Sequence, residues 1–383
     1  MQTEQTPTAA TGETPIEDCF EASYAKSRER LLSSISSISG IHPVLIDSRS
    51  IPTKGPDGET LATDFIIIGA RRPRKVLVIS SGTHGVEGFA GSAIQHDFIE
   101  HRLPSLKLAA DTAVIIDHAH NPYGFAWLRR VSEDNIDINR NFMDQFDTEK
   151  VSPDYVALHD ALNPPDLDPD AEAQRWAQIN ALAETHGLTH VQKVIIEGQY
   201  HYPEGVQFGG QRRAPCVQNL LDLVDEHLSA ATEILWIDIH TGLGESGECE
   251  LISGMPAGSP SLAFAREVWP EVVSASAGES LSTPLNGLMD IGISHHVPAD
   301  ARFAMVFPEY GTLPVDRVIR AMRADNWLHQ HGPQDVLQDP TGRAIKADLL
   351  EAFRPDDPVW RQKIQQSGRS IIEQAITAMP GLS

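Results

Sequence analysis

The sequence predicts an α/β fold, a mostly parallel mixed sheet with helices on both faces. Three observations carry that expectation. Short runs such as KVLVISS, TAVIIDHAH and EILWIDIH are apolar without alternation, as strands buried on both faces are. Segments with apolar residues at helical spacing separate these runs, the alternation that builds parallel sheets. Polar residues with glycine beside them collect directly after three of the runs, where ligands bind in open sheets of this kind.

Taken in order, the polar tract over 1–16 (MQTEQTPTAATGETPI) cannot bury itself and is expected to be flexible, and 17–35 reads as a first helix. HPVLIDSRS and DFIIIGARRPRKVLVISS are β-branched runs separated by the turn-rich PTKGPDGET, as in strands joined by a hairpin-like loop. A glycine-rich turn after KVLVISS leads to a helix marked by Ala90, Ile94 and Phe98, and TAVIIDHAH follows as the next buried strand. The Asp- and Pro-rich stretch 147–169 is the most loop-like interior segment and reads as the start of an insertion. Val217, Leu220, Val224 and Leu228 predict a helix before EILWIDIH; ECELISG, a helix over SPSLAFAREVW, and RFAMVF complete the series. Ile372, Ala375, Ile376 and Met379 mark an apolar helical face near the C-terminus. The expected organisation is one domain over 17–383, ending in a helical region over 313–383.

Composition narrows the function classes. Against 30 Lys plus Arg stand 53 Asp plus Glu, a net charge of −23, and that field repels phosphate backbones and anionic membrane surfaces. Neither nucleic acid nor membrane is an expected partner. Cys19, Cys216 and Cys249 are an odd number without CxxC spacing, so neither a disulfide framework nor a cysteine zinc site is encoded. A reducing, cytoplasmic setting fits, and 1–16 lacks the basic and apolar regions of a secretory leader.

The polar residues after the three runs are Thr83-His84-Gly85-Val86-Glu87-Gly88, His240-Thr241-Gly242 and Pro308-Glu309-Tyr310-Gly311. Pro308 cannot donate to a central ladder, which places Glu309 at or just past its strand's end. Two imidazoles and a carboxylate are what a catalytic zinc ion (Zn2+) asks of a protein, with one position left for water. His84 and Glu87, three apart, can reach one ion from a turn, and His240 can join from another strand. Glu309 is then the candidate to carry protons. The alternatives are ordinary ones. With 16 histidines, roughly one HxxE arises by chance, and a histidine after a strand is often a hydrogen-bonded core residue. Gly85, Gly88 and Gly91, between a strand and a helix, also allow a nucleotide-binding loop, although the GxGxxG order is missing. A further loop carries Arg129-Arg130 and Asn139-Arg140, which would clamp a carboxylate and polarise a carbonyl, or form a solvated basic loop balanced by Glu133, Asp134 and Asp137.

In combination, HxxE at His84/Glu87, NPYG, DINRNF, DIHTG around His240 and the late Glu309 resemble the zinc carboxypeptidase superfamily over about 64–312. The likeness is nearest to its aspartoacylase and succinylglutamate desuccinylase branch and bacterial relatives of unassigned function. The resemblance implies zinc held by His84, Glu87 and His240, with Glu309 as the catalytic carboxylate. It implies that Asn139 and Arg140 grip a substrate carboxylate and that Arg130, or alternatively Arg129, polarises the scissile carbonyl. The implied activity is hydrolysis of an amide bond beside a carboxylate, in a short peptide or an N-acyl amino acid. A deacylase of a larger amidated metabolite and a non-catalytic binding module on the same fold are the alternatives. One departure stands out: the peptidases place a tyrosine some twenty residues before the catalytic glutamate, where this chain has none and offers His295 and His296. The segment 197–215, with Tyr200, His201, Tyr202 and a Gly-Gly turn, is expected to be either pocket wall or surface loop.

Overall fold

The computed structural model describes residues 19–149, 151–282 and 285–383. The tract over 1–16 lies outside the described residues, as does the start of the helix expected from residue 17. That helix runs over Tyr24–Ile38, where Ser23 caps it by accepting from the Lys26 amide, and it buries Leu31, Ile35 and Ile38.

Among the described residues the strands are β1 (Val44–Lys54), β2 (Thr60–Gly69), β3 (Lys75–Ser81), β4 (Thr112–His118), β5 (Glu233–Thr241), β6 (Cys249–Ser253), β7 (Val273–Ser274) and β8 (Arg302–Tyr310). They form one sheet in the order β1-β2-β4-β3-β5-β8-β6-β7. β4, β3, β5 and β8 run parallel at its centre. β1 and β2 add an antiparallel edge on one side, and β6 pairs antiparallel with β8 on the other. The mixed, largely parallel sheet expected from the apolar runs is therefore the sheet observed. β3, β4 and β5 are almost wholly buried, which is why their sequences lack alternation.

The helix after β3, Gly88–Asp97, is buried along its whole length and packs on the helices Tyr24–Ile38 and Pro358–Ala378 as well as on the sheet. Gly91 permits the approach, since a Cβ there would come within 2.6 Å of the Ser81 Cβ. Gly85 is equally constrained: its Cβ would overlap the Gly124 carbonyl carbon at 2.0 Å. With Gly88 closed over by the Phe125 ring, these glycines serve close packing, and the nucleotide-loop reading gives way to that role.

The stretch 147–169 differs from expectation. It contains a helix, Pro153–Leu162, and leads into two more, Pro169–His186 and Leu188–Ile196. Pro153 and Pro169 stand in the first turns, where a missing N–H costs nothing, and Asp168 caps the second helix through the Asp170 and Ala171 amides. Tyr155, Leu158, Leu162, Ile179, Val191 and Ile195 give this insertion a small core of its own. No described helix is long and apolar enough to cross a membrane.

Candidate metal centre and its cavity

The three strand-end segments meet at the carboxyl edge of the parallel strands. β3 releases His84 and Glu87 through a short turn, β5 ends at His240-Thr241, and β8 carries Glu309 opposite His240 in register. The β5–β8 pairing skips from Ile237/Val306 to His240/Glu309, an interruption that brackets Pro308 and reflects its missing donor. Glu309 occupies the last turn of the pleat before Tyr310 ends the strand.

His84, Glu87 and His240 are all buried and offer ligand atoms within 4.8 Å of one another. Glu87 stands between the rings, with Oε1 2.8 Å from His84 Nδ1 and Oε2 3.1 Å from His240 Nδ1. Despite that proximity, the buried His84 Nδ1 makes no hydrogen bond. The far nitrogens are supported by carboxylates: His240 Nε2 lies 2.6 Å from Asp238 Oδ2, and His84 Nε2 lies 3.1 Å from Asp137 Oδ1. Carboxylates behind the rings of a His/Glu/His set are the arrangement that orients metal-binding imidazoles. The donor set fits a divalent cation with borderline-soft preferences.

Electrostatics say the same. Burial would raise the Glu87 carboxyl, but the His84 and His240 rings hold it below the ordinary carboxylate range. Burial would discharge His240, yet Asp238 and Glu87 hold its imidazole well above the usual range. A protonated ring thus supplies positive charge between two buried carboxylates, the charge a bound cation would supply in its place. Burial, and after it the Glu87 carboxylate, push the Glu309 carboxyl up to about 8. Its Oε1 accepts from the Leu243 amide at 3.0 Å.

Arg130, Asn139 and Arg140 line the same cavity as His84, Glu87, His240 and Glu309, so all seven sequence-expected residues converge. The neighbouring arginines part company. Arg130 pairs with Asp137, with Nη2 2.8 Å from His84 Nε2, whereas Arg129 turns away to Asp325 at 3.0 Å. Arg130 and Asp137 both approach His84 Nε2, which carries one proton at most, so the two hydrogen bonds are alternatives. Arg140 is buried with Nε and Nη2 donating to the Ile196 carbonyl and Nη1 to the Asn139 carbonyl. Asn139 Oδ1 accepts from the Met289 amide.

Sequence reading missed Asp137, Asp238 and Gln207. Asp137 is the hub: fully buried, it accepts from the Asn139 amide, faces His84 and pairs with Arg130. Its position inside DINRNF was the available signal. Gln207, in a left-handed backbone conformation (φ 58°), lines the cavity with Val206, so that part of the segment 197–215 is pocket wall, while His201, Glu204 and Arg212 are exposed. In that segment the Tyr200 hydroxyl donates to the Arg140 carbonyl at 2.8 Å. His295 and His296 do not line the cavity; His296 pairs with Asp225 at 2.9 Å. A second cluster of possible metal donors among the described residues, Asp47, Glu226 and His227, is already engaged by Arg49, which pairs with both acids.

A family model described as "Protein of unknown function (DUF2817)" matches residues 20–367. The chain belongs to the DUF2817 family. Solved structures similar to this DUF2817 chain include carboxypeptidase A from Helicoverpa armigera, at 12% identity over 88% of this chain and 75% of that one, with a TM-score of 0.45. They also include an aspartoacylase family protein from Mesorhizobium loti, at 15% identity over 74% and 66%, with a TM-score of 0.36. A succinylglutamate desuccinylase from Silicibacter sp. TM1040 matches at 12% identity over 76% and 67%, with a TM-score of 0.38. No curated protein matches the DUF2817 chain.

Proposed function

We propose that this DUF2817 protein is a zinc-dependent hydrolase of an amide bond adjacent to a carboxylate, in a short peptide or an N-acyl amino acid. The observation that carries this reading is the convergence of a buried His/Glu/His donor set, a carboxyl poised near neutrality and two arginines on one cavity. His84, Glu87 and His240 would hold the zinc, which when bound supplies Lewis acidity and lowers the pKa of water toward ~7.

The chain's own residues divide the remaining work. Glu309 takes the proton of the attacking water and delivers it to the leaving nitrogen, its Oε1 oriented by the Leu243 amide. Positive charge beside Glu87 offsets the repulsion that helps to raise Glu309, leaving it able to exchange protons near neutral pH. Arg130, held by Asp137 at the metal donors, faces charge developing on the carbonyl oxygen. Arg140 has three of its five N–H groups bound to backbone carbonyls, and the two left are the number a carboxylate accepts. Asn139 sits beside it on the same wall. Leu162, Ile195, Val206, Val318, Ile319 and Met322 make much of the remaining wall apolar, which favours a substrate with an apolar acyl group or side chain.

Turnover of N-acyl amino acids and dipeptides, each with its carboxamide counterpart, by the zinc-loaded chain tests the reading. Hydrolysis of the carboxylate forms, strongest with apolar groups, is expected. Equal turnover of the carboxamides would remove the Arg140 clamp and favour a deacylase of larger amidated metabolites.

A further inference from the structure

A second cavity, of about 290 Å³, shares no lining residue with the first. Its wall includes Tyr123, Trp127, Arg129, His329, Gln334 and Lys346, and among the described residues no carboxylate lines it. On a chain of net charge −23 that is an unusual surface. Arg129 is 2% exposed, and its Nη1 has no hydrogen-bond partner, although Nε donates to Asp325 and Nη2 to Asn135. Lys346, also buried, donates to the other oxygen of Asp325 at 2.6 Å and to the Leu128 carbonyl at 3.2 Å. Two buried cations therefore share one carboxylate, which stands behind the wall and not in it. His329, exposed at the cavity's edge, offers ring nitrogens for hydrogen bonding.

We propose that this cavity is a binding site for a small oxyanion, seated on Arg129 and Lys346 beside the packed Tyr123 and Trp127 rings. An anion there supplies the missing countercharge, and a buried guanidinium with an unpaired N–H is costly without one. Guanidinium and ammonium side by side accept either a carboxylate or a phosphate group, and the flanking rings give a flat apolar substituent a place to lie. The site adjoins the candidate metal centre through the backbone. The Arg129 and Arg130 carbonyls accept from the Val86 and Gly85 amides, in the turn between His84 and Glu87. The helix Val315–His331 also carries residues of both walls, Val318 and Met322 on one and Leu328 and His329 on the other.

Titration calorimetry of the full chain with sodium phosphate and with sodium benzoate, at constant ionic strength, tests this. Saturable binding of at least one anion is expected, and the preferred one separates a phosphate source from an aromatic carboxylate. Gln334 is exposed on the cavity wall, so its substitution tests charge without disturbing the buried network. Gln334→Glu should weaken the anion at least threefold, and Gln334→Lys should tighten it. Arg129→Gln should abolish binding if it folds; if it does not, the Gln334 pair decides. Binding of neither anion, or binding indifferent to the charge at Gln334, would overturn the site and make the Arg129–Asp325–Lys346 cluster a structural tie. None of these results depends on turnover, so the hydrolase reading stands or falls separately.

Discussion

His240 and Glu309 are register partners at the carboxyl ends of the adjacent parallel strands β5 and β8. This pairing sets a candidate metal donor beside the proposed proton carrier, with Glu87 reaching His240 from the turn after β3. Glu309→Gln keeps the shape, including the acceptor for the Leu243 amide, and removes the titrating oxygen. Zinc content by elemental analysis should stay near one per chain, while kcat on a cleaved substrate falls by roughly two to four orders of magnitude. Loss of zinc in this variant would make Glu309 a ligand, and near-normal turnover would make it a bystander.

Replacing His240 or His84 by alanine removes one of three donors and should strip most of the zinc. The fold should survive, because His84 follows β3 and His240 stands near the end of β5, away from the apolar middles of both strands, and circular dichroism would show it. Full zinc occupancy in His240→Ala would end the assignment.

Asp137 acts behind His84. In Asp137→Asn the oxygen that receives the Nε2 proton can be replaced by a donor, so the ring loses its oriented tautomer. Zinc affinity, read by competition against a chelator, should weaken about 10–100-fold. An unchanged affinity would make Asp137 a partner of Arg130 alone.

Asp290 gives a pH dependence away from the metal donors. It is fully buried, accepts from the Gly254 and Ile291 amides, and burial pushes its carboxyl up to about 7. Between the ordinary carboxylate range and about 7 the folded chain holds a proton that the unfolded chain has released. Its contribution to stability is therefore present at low pH, is lost as pH rises through that window and is flat above it, at up to about 1.4 kcal/mol per pH unit. Asp290→Asn cannot titrate, so its stability relative to the unmodified chain should improve from pH 5 to pH 7.5. Denaturant melts at several pH values measure this, and a constant difference would refute it.

The seven candidate residues were legible because each follows an apolar run or sits in a compact motif, and a parallel sheet brings its strand ends to one edge whatever the details of packing. The apolar face of Ile372, Ala375, Ile376 and Met379 was legible for a similar reason, since helical periodicity is written locally. The insertion was not: Asp and Pro suggest a loop, and only packing of Tyr155, Leu158 and Ile195 into a shared core makes Pro153 and Asp168 helix starters. Nor does spacing say which of Arg129 and Arg130 reaches the donors, because adjacent side chains leave a loop in different directions. The backbone hydrogen bonds to Gly85 and Val86 decide it, sending Arg130 to Asp137 and Arg129 to Asp325. Asp137 and Asp238 support the rings only through contacts made after the chain has folded, across 53 residues in one case and along a pleated strand in the other. Residue types and their order thus determined which groups would meet, while the orientation of His84, Arg129 and Arg140 depended on neighbours that are distant in sequence and close only in the folded chain.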